Sequence, residues 1–383
     1  MEKLSKNELL ELIKSVFPYF KNDKKLGILV DIPNSKENDN EDWSIRREIC
    51  LDWIKKIKSE TNSLKLEEIA LIAYPAVGAN NADLPEYAFI INEGLPETAE
   101  LLDKMGKKIK FEEIFKTFQL FLAPTENSAT APLKNSAKKH GFRAATMPGF
   151  SPKMLPALRI DYEEVNRRVS IIKEKVDPAI SAEVIFRVNN KDKYNMSFDL
   201  RFRKGHLSPG RFPDASTAGN LPSGETYIVP YEGELKEKSK TEGILPVQIK
   251  GKLVYFTIKE NVAISVIGDE ETSQIEADHL RREPAYGNMA ELGFGVLGDF
   301  GLTPINEILL DEKLGFHVAF GRSDHFGGAV GPQNFSKPSE VIHLDQIYIN
   351  KTQPDVIVES LVLKYEDNKS EKIIIEGKYM VFN

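Results

Sequence analysis

Apolar residues recur at helical spacing at Leu9, Leu10, Leu12, Ile13, Val16 and Phe17, and again from Trp43 to Ile57 beyond the polar loop Asn34 to Asp42. That periodicity predicts two amphipathic helices. Between them Leu26-Gly27-Ile28-Leu29-Val30-Asp31 reads as a short buried strand. Strand-like runs follow at Glu68 to Tyr74, Tyr87 to Ile91 and Gln119 to Leu122, separated by the charged, helix-compatible stretches Glu97 to Met105 and Phe111 to Phe118. Strands alternating with helices favour an open, mostly parallel sheet, so an α/β domain is expected over residues 1–175.

From Ala182 the pattern changes to longer runs in which apolar and polar residues alternate, as in half-buried antiparallel strands. These runs are Ala182 to Val188, Met196 to Phe202, Gly224 to Tyr231, Leu245 to Ile258, Val262 to Ile267, Gly315 to Phe320, Val341 to Ile349, Val356 to Tyr365 and Glu371 to Phe382. Helical signals are few: Glu271 to Arg282, and Pro304 to Glu312 with Thr303 as its cap. A mixed, β-rich α+β domain is therefore expected over residues 176–383. The sequence shows no internal repeat and no low-complexity tract.

The length of 383 residues suits two domains at roughly 100–200 residues each. A composition of 41% hydrophobic and 28% charged residues is that of a globular chain. With 51 basic against 58 acidic residues the net charge is -7, and no basic stripe stands out for nucleic acid or an anionic membrane. No run approaches the ~18 apolar residues of a membrane span, and Met1 to Phe20 lacks the layout of a signal peptide. The single cysteine, Cys50, cannot form an internal disulfide. A cytoplasmic protein is expected.

The most specific chemical signal is His343-Leu344-Asp345 within a strand-like run. Residues two apart on a strand point to one face with Cα atoms ~7 Å apart, so His343 and Asp345 can converge on one ion while Leu344 turns away. His317, Glu291 and Glu225 each lie in an apolar or glycine-rich setting, where a carboxylate must find a cation or hydrogen bonds to offset its lost solvation. Bonding to backbone amides at turns is the other reading of Glu291 and Glu225. Gly293-Phe294-Gly295-Val296-Leu297-Gly298 matches a dinucleotide-binding string, but Asp311 and Glu312 fall before the strand at His317 instead of ending one, so turn glycines near Glu291 are the expectation. His140, His206 and His279 sit in polar stretches and are expected at the surface.

Ser128-Ala129-Thr130-Ala131-Pro132-Leu133, Arg143-Ala144-Ala145-Thr146-Met147-Pro148-Gly149, Ser197-Phe198-Asp199-Leu200, Asn220-Leu221-Pro222-Ser223-Gly224-Glu225, Ala290-Glu291-Leu292-Gly293 and His343-Leu344-Asp345 together resemble the aminopeptidase T and aminopeptidase S group of metallo-aminopeptidases. The resemblance implies that Glu225, Glu291, His317, His343 and Asp345 bind two divalent ions, zinc, cobalt or manganese. It also implies a homodimer that removes N-terminal residues from peptides or small amino-acid amides with a metal-activated water. One departure stands out: the family carries a tyrosine shortly after the histidine at His317, and no tyrosine lies between His317 and Asp345 here. Either Arg322 or His325 takes its part, or the chemistry differs. The ring-opening dihydroxypyridine dioxygenases resemble the same family, and His317, His343 and Asp345 would suit their single non-haem iron. A non-catalytic member of the fold is the third reading.

Overall fold

In the computed structural model, which describes residues 2–382, the apolar run at Leu26 becomes the strand Lys25–Ile32, buried along nearly its whole length in the middle of a seven-stranded sheet. The strand order is Ala218–Asn220, Arg143–Pro148, Leu120–Thr125, Lys25–Ile32, Glu68–Pro75, Tyr87–Ile91, Gly106–Lys110. The first five are parallel and the last two antiparallel. At the edge, Gly106–Lys110 exposes Lys107, Lys108 and Lys110, a charged border that discourages further strand pairing. The two expected N-terminal helices are Lys6–Val16 and Glu41–Ile57. In the first, the Ser5 hydroxyl accepts from Glu8 N–H and the Glu8 carboxylate accepts from Ser5 N–H, so two free amides at the helix start are satisfied reciprocally.

The chain forms two units: Met1–Asn166 with Pro209–Ser223, and Arg167–Ser208 with Gly224–Asn383. The second unit contains an eight-stranded antiparallel sheet with Val262–Gly268 and Lys378–Tyr379 at its edges. Its other sheet has five antiparallel strands in the order His343–Ile347, Phe316–Gly321, Met289–Gly295, Glu225–Ile228, His206–Ser208. Aromatic side chains join these two sheets: Phe320 packs on Phe256 at 4.9 Å between ring centroids, and Tyr348 on Phe186 at 4.7 Å. The mixed α/β and β-rich architecture is as the hydropathy pattern predicts.

Four expected elements differ in detail. The run Glu371 to Phe382 is a hairpin of Ser370–Ile375 and Lys378–Tyr379, turned by the left-handed Glu376 and Gly377. The run Leu245 to Ile258 is a hairpin of Glu242–Ile249 and Lys252–Lys259, because Lys250 (φ 50°) and Gly251 (φ 80°) make a two-residue left-handed turn that an unbroken apolar pattern conceals. The helix expected over Pro304 to Glu312 shrinks to one turn, Ile308–Asp311, followed by the 3₁₀ turn Glu312–Leu314. Here the Asp311 carboxylate accepts from the backbone N–H groups of Ile305 and Asn306, and Asn306 is left-handed, so the preceding residues form a loop. Glu97 to Met105 likewise holds only the 3₁₀ turn Ala99–Leu101 and the single turn Leu102–Met105. Conversely, helices also form at Thr130–His140 and at Tyr162–Val176, the second on the apolar stripe Tyr162, Val165, Val169, Ile172 and Val176, all of it buried. No helix among the described residues is long and apolar enough to cross a membrane.

Phe320 is buried on the face of its strand that packs toward Phe256 and Tyr286. Phe320→Ala should therefore cost about 3–5 kcal/mol of stability in urea unfolding, a cavity effect, with metal binding retained in the folded fraction. A loss below 1 kcal/mol would contradict this packing role.

Candidate metal centre

The five-stranded sheet carries its chemistry on one face, and strand periodicity explains how. On Phe316–Gly321, Phe316, Val318 and Phe320 face the apolar side, which leaves His317 and Ala319 for the other. Directly paired residues of antiparallel strands share a face. Asp345 and Glu291 both pair with Ala319, His343 pairs with Gly321, and His317 pairs with Gly293, which in turn pairs with Tyr227. Glu225, two residues before Tyr227, shares its face. Glu225, Glu291, His317, His343 and Asp345 thus meet on one surface although 120 positions separate the first from the last.

Glu291 is the centre of the cluster. Its Oε1 lies 3.4 Å from His317 Nε2 and its Oε2 lies 3.1 Å from His343 Nε2. Glu225 Oε2 is 3.6 Å from His317 Nε2, and Asp345 Oδ1 is 3.5 Å from His343 Nε2. The ligand-type atoms therefore form two trios that share Glu291: Glu225, Glu291 and His317, and Glu291, His343 and Asp345, each with all atoms within 4.8 Å of one another. His317, His343 and Asp345 do not form such a trio among the described residues.

Both imidazoles are fixed by the backbone. His317 Nδ1 lies 3.1 Å from the Gly315 carbonyl and His343 Nδ1 lies 2.8 Å from the Arg322 carbonyl. A carbonyl only accepts, so each Nδ1 carries the hydrogen and each Nε2 turns toward the carboxylates. A neutral Nε2 would point its lone pair at anionic oxygens; a cation, either a proton or a metal ion, must lie between. Burial opposes a charge on His317, yet Glu291 and Glu225 outweigh it and raise its pKa to about 9. His343 is raised further above the imidazole range, Asp345 and Glu291 overcoming burial. Burial would raise Glu291, but the two imidazoles hold it well below the usual carboxylate range.

Two carboxylate oxygens test whether a metal fits. Glu225 Oε2 and Asp345 Oδ1 are buried and accept no hydrogen bond, one in each trio. A buried carboxylate oxygen left in this state costs free energy that a coordinated cation recovers. Mixed imidazole and carboxylate donors with no thiolate suit zinc, cobalt, manganese or ferrous iron. The donor set therefore fits a metal at either trio.

Glycine and lysine complete the surroundings. A Cβ on Gly293 would lie 1.9 Å from His317 Nε2, so the imidazole occupies the space above a residue that must lack a side chain. A Cβ on Gly295 would meet the backbone of Lys313 at 2.4 Å, because the Glu312–Leu314 turn crosses there. The glycines that mimic a dinucleotide motif instead clear room for a histidine and a turn. That turn delivers Lys313, whose buried ammonium lies 2.5 Å from Glu225 Oε1 and also pairs with Glu312. Burial raises Glu312 to about 8 despite Lys313. Lys313 is not signalled in the sequence, where it reads as one more charge in a polar stretch.

Arg322 and His325 sit at the margin. The Arg322 guanidinium is taken by Asp324, with Nε 2.5 Å from Oδ1, while its backbone carbonyl orients His343. The His325 ring centroid lies 5.3 Å from that of His343, and burial with the neighbouring His343 lowers His325 to about 4. His206 is exposed as expected, but its ring stacks on Tyr227 at 5.2 Å. His279 stacks on Tyr286, and His140, in the first unit, borders Phe115.

Neither models of known families nor the curated proteins give a match to this sequence. Among solved structures, the fold is similar to that of 2,5-dihydroxypyridine dioxygenase from Pseudomonas putida KT2440, with a TM-score of 0.60, 14% identity and 98% of each chain covered. It is also similar to wild-type AmpT from Thermus thermophilus, with a TM-score of 0.54, 12% identity, 98% of this chain and 100% of that one covered. At these identities the likeness establishes a shared fold.

Two outcomes follow from the cluster. Gly293→Ala should abolish metal binding at the His317 trio, read by calorimetric titration, since its methyl group displaces the imidazole; unchanged stoichiometry would contradict the geometry. The second concerns pH. His317 and His343 are raised above their unfolded values, so in chelator-treated protein their stabilising contribution is complete below about pH 6.5 and is lost with rising pH, for His317 through about 9. The melting temperature should fall across that window without metal and fall less with saturating zinc or cobalt; parallel pH profiles would contradict it.

Proposed function

We propose that the chain is a metal-dependent hydrolase of the aminopeptidase type, acting on peptides or small amino-acid amides with two divalent ions, zinc, cobalt or manganese. Glu225, Glu291 and His317 would hold one ion, and Glu291, His343 and Asp345 the other. The observation that carries this reading is the position of Glu291, which turns one oxygen to each histidine. When bound, two such ions supply an acidified water and a Lewis acid for the scissile carbonyl. The chain's own part is to present the donors already dried and aligned. Gly315 and Arg322 carbonyls fix both tautomers, Lys313 anchors Glu225 by Oε1 and leaves Oε2 facing His317, and burial strengthens every charge in the cluster. His325, neutral at pH 7, is proposed to face substrate beside His343, and Arg322 to do so only when released from Asp324. The likeness to AmpT, an aminopeptidase T, supports this reading. A homodimer belongs to the same proposal.

A second reading, a ring-cleaving dioxygenase with one ferrous ion, is favoured by the likeness to 2,5-dihydroxypyridine dioxygenase. Lys313 supports it too, because an ammonium on Glu225 already answers part of the charge at one trio. Retention of the fold without turnover is the third. Protein stripped by chelator and reloaded should hydrolyse alanyl or leucyl anilides with cobalt, zinc or manganese. Glu291→Gln should lower that rate at least ~10²-fold, as loss of a shared ligand does. Oxygen uptake on 2,5-dihydroxypyridine with ferrous iron, and no anilide hydrolysis under any metal, would replace the first reading by the second.

A further inference from the structure

Hydrolysis of an amide needs a donor toward the oxygen on which charge develops, and the cluster's marginal residues serve this poorly. Arg322 is bound to Asp324, and His325 lies on the His343 side. The Glu225 and His317 side has another candidate, placed by sheet register. Tyr227 pairs with Gly293, and Gly293 pairs with His317. With no side chain on Gly293, the His317 ring leans over that glycine, so its Nε2 comes within about one strand spacing, ~4.8 Å, of the Tyr227 backbone.

The tyrosine is also held at the rim. Its ring lies 4.6 Å from Phe326, which lies 5.3 Å from His343, and stacks on His206. It is half-buried, and among the described residues its hydroxyl has no hydrogen-bond partner. The hydroxyl is not among the buried polar atoms, so it stays open to a substrate arriving at this rim. We propose that Tyr227 is a catalytic residue that donates a hydrogen bond from its hydroxyl to the carbonyl oxygen of the substrate at the Glu225, Glu291 and His317 side of the cluster. An ordinary phenol titrates near pH ~10 and so stays protonated at neutral pH, the form that donates. Tyr227 takes no covalent part: its hydrogen stays on the phenol throughout, while charge builds on the substrate oxygen and then collapses to re-form the carbonyl as the C–N bond breaks and the amine leaves.

This inference rests on the hydrolase reading, and the experiment separates the two. Parent and Tyr227→Phe protein, each loaded with zinc or cobalt, would be compared by metal content, by anilide hydrolysis, and by calorimetric binding of the phosphonic-acid analogues of alanine and leucine. Those analogues place a tetrahedral anion where the reacting carbon would be. Loss of one such donor typically lowers kcat by roughly 10²–10³. The expected result is a fall of that size with KM and metal content little changed, together with weaker phosphonate binding and unchanged binding of the free amino acid. A Phe variant that keeps the parent's kcat and phosphonate affinity overturns the role of Tyr227 and leaves the hydrolase reading intact. A parent that neither hydrolyses anilide nor binds phosphonate overturns both.

Discussion

Three carboxylates, Glu225, Glu291 and Asp345, are held out of water within a few ångströms of one another, and this charge must be answered from inside the protein. The two nearest bases, His317 and His343, donate their Nδ1 hydrogens to backbone carbonyls, so each can answer only through Nε2. Protons there give a stable apo protein at moderate pH, and metal ions there give a loaded one. The same geometry therefore links stability, pH and metal. Lys313 shows how close the balance is, since a further buried cation is shared between Glu225 and Glu312.

The fold serves this demand by a separation of faces. Phe316, Val318 and Phe320 make one side of a five-stranded sheet apolar, while residues on its other side converge as the charged cluster. A rigid two-sided sheet can hold a charged cluster because its other side contributes burial. Glycine completes the device, as the missing side chain at 293 gives the His317 ring its place.

Much of this was legible from the residues, for reasons that differ between elements. Strands such as Tyr87–Ile91 and Val356–Tyr365 have their own apolar pattern and clear ends, so their limits follow directly. His343 and Asp345 are readable because period-two geometry joins residues close in sequence. The pairing of Glu225 with Lys313 depends on a turn crossing over Gly295, a contact 88 residues apart that no local pattern encodes. Tyr227 is silent in the sequence for a related reason: its relation to His317 runs across two strand pairings. The return of Pro209–Ser223 to the first unit is equally silent, because three residues, Ala218–Asn220, suffice to add a strand. Likeness to solved structures then supplies the fold, while the reaction is a matter for this chain's own donors.

The central claim is that Glu291 joins two cation positions, and anomalous diffraction from crystals grown with zinc or cobalt tests it most directly. The account predicts two peaks roughly 3.5–4 Å apart, a Glu291 oxygen on each, with His317 and Glu225 at one and His343 and Asp345 at the other. A single peak bounded by His317, His343 and Asp345, with Glu291 and Glu225 turned away, would contradict it.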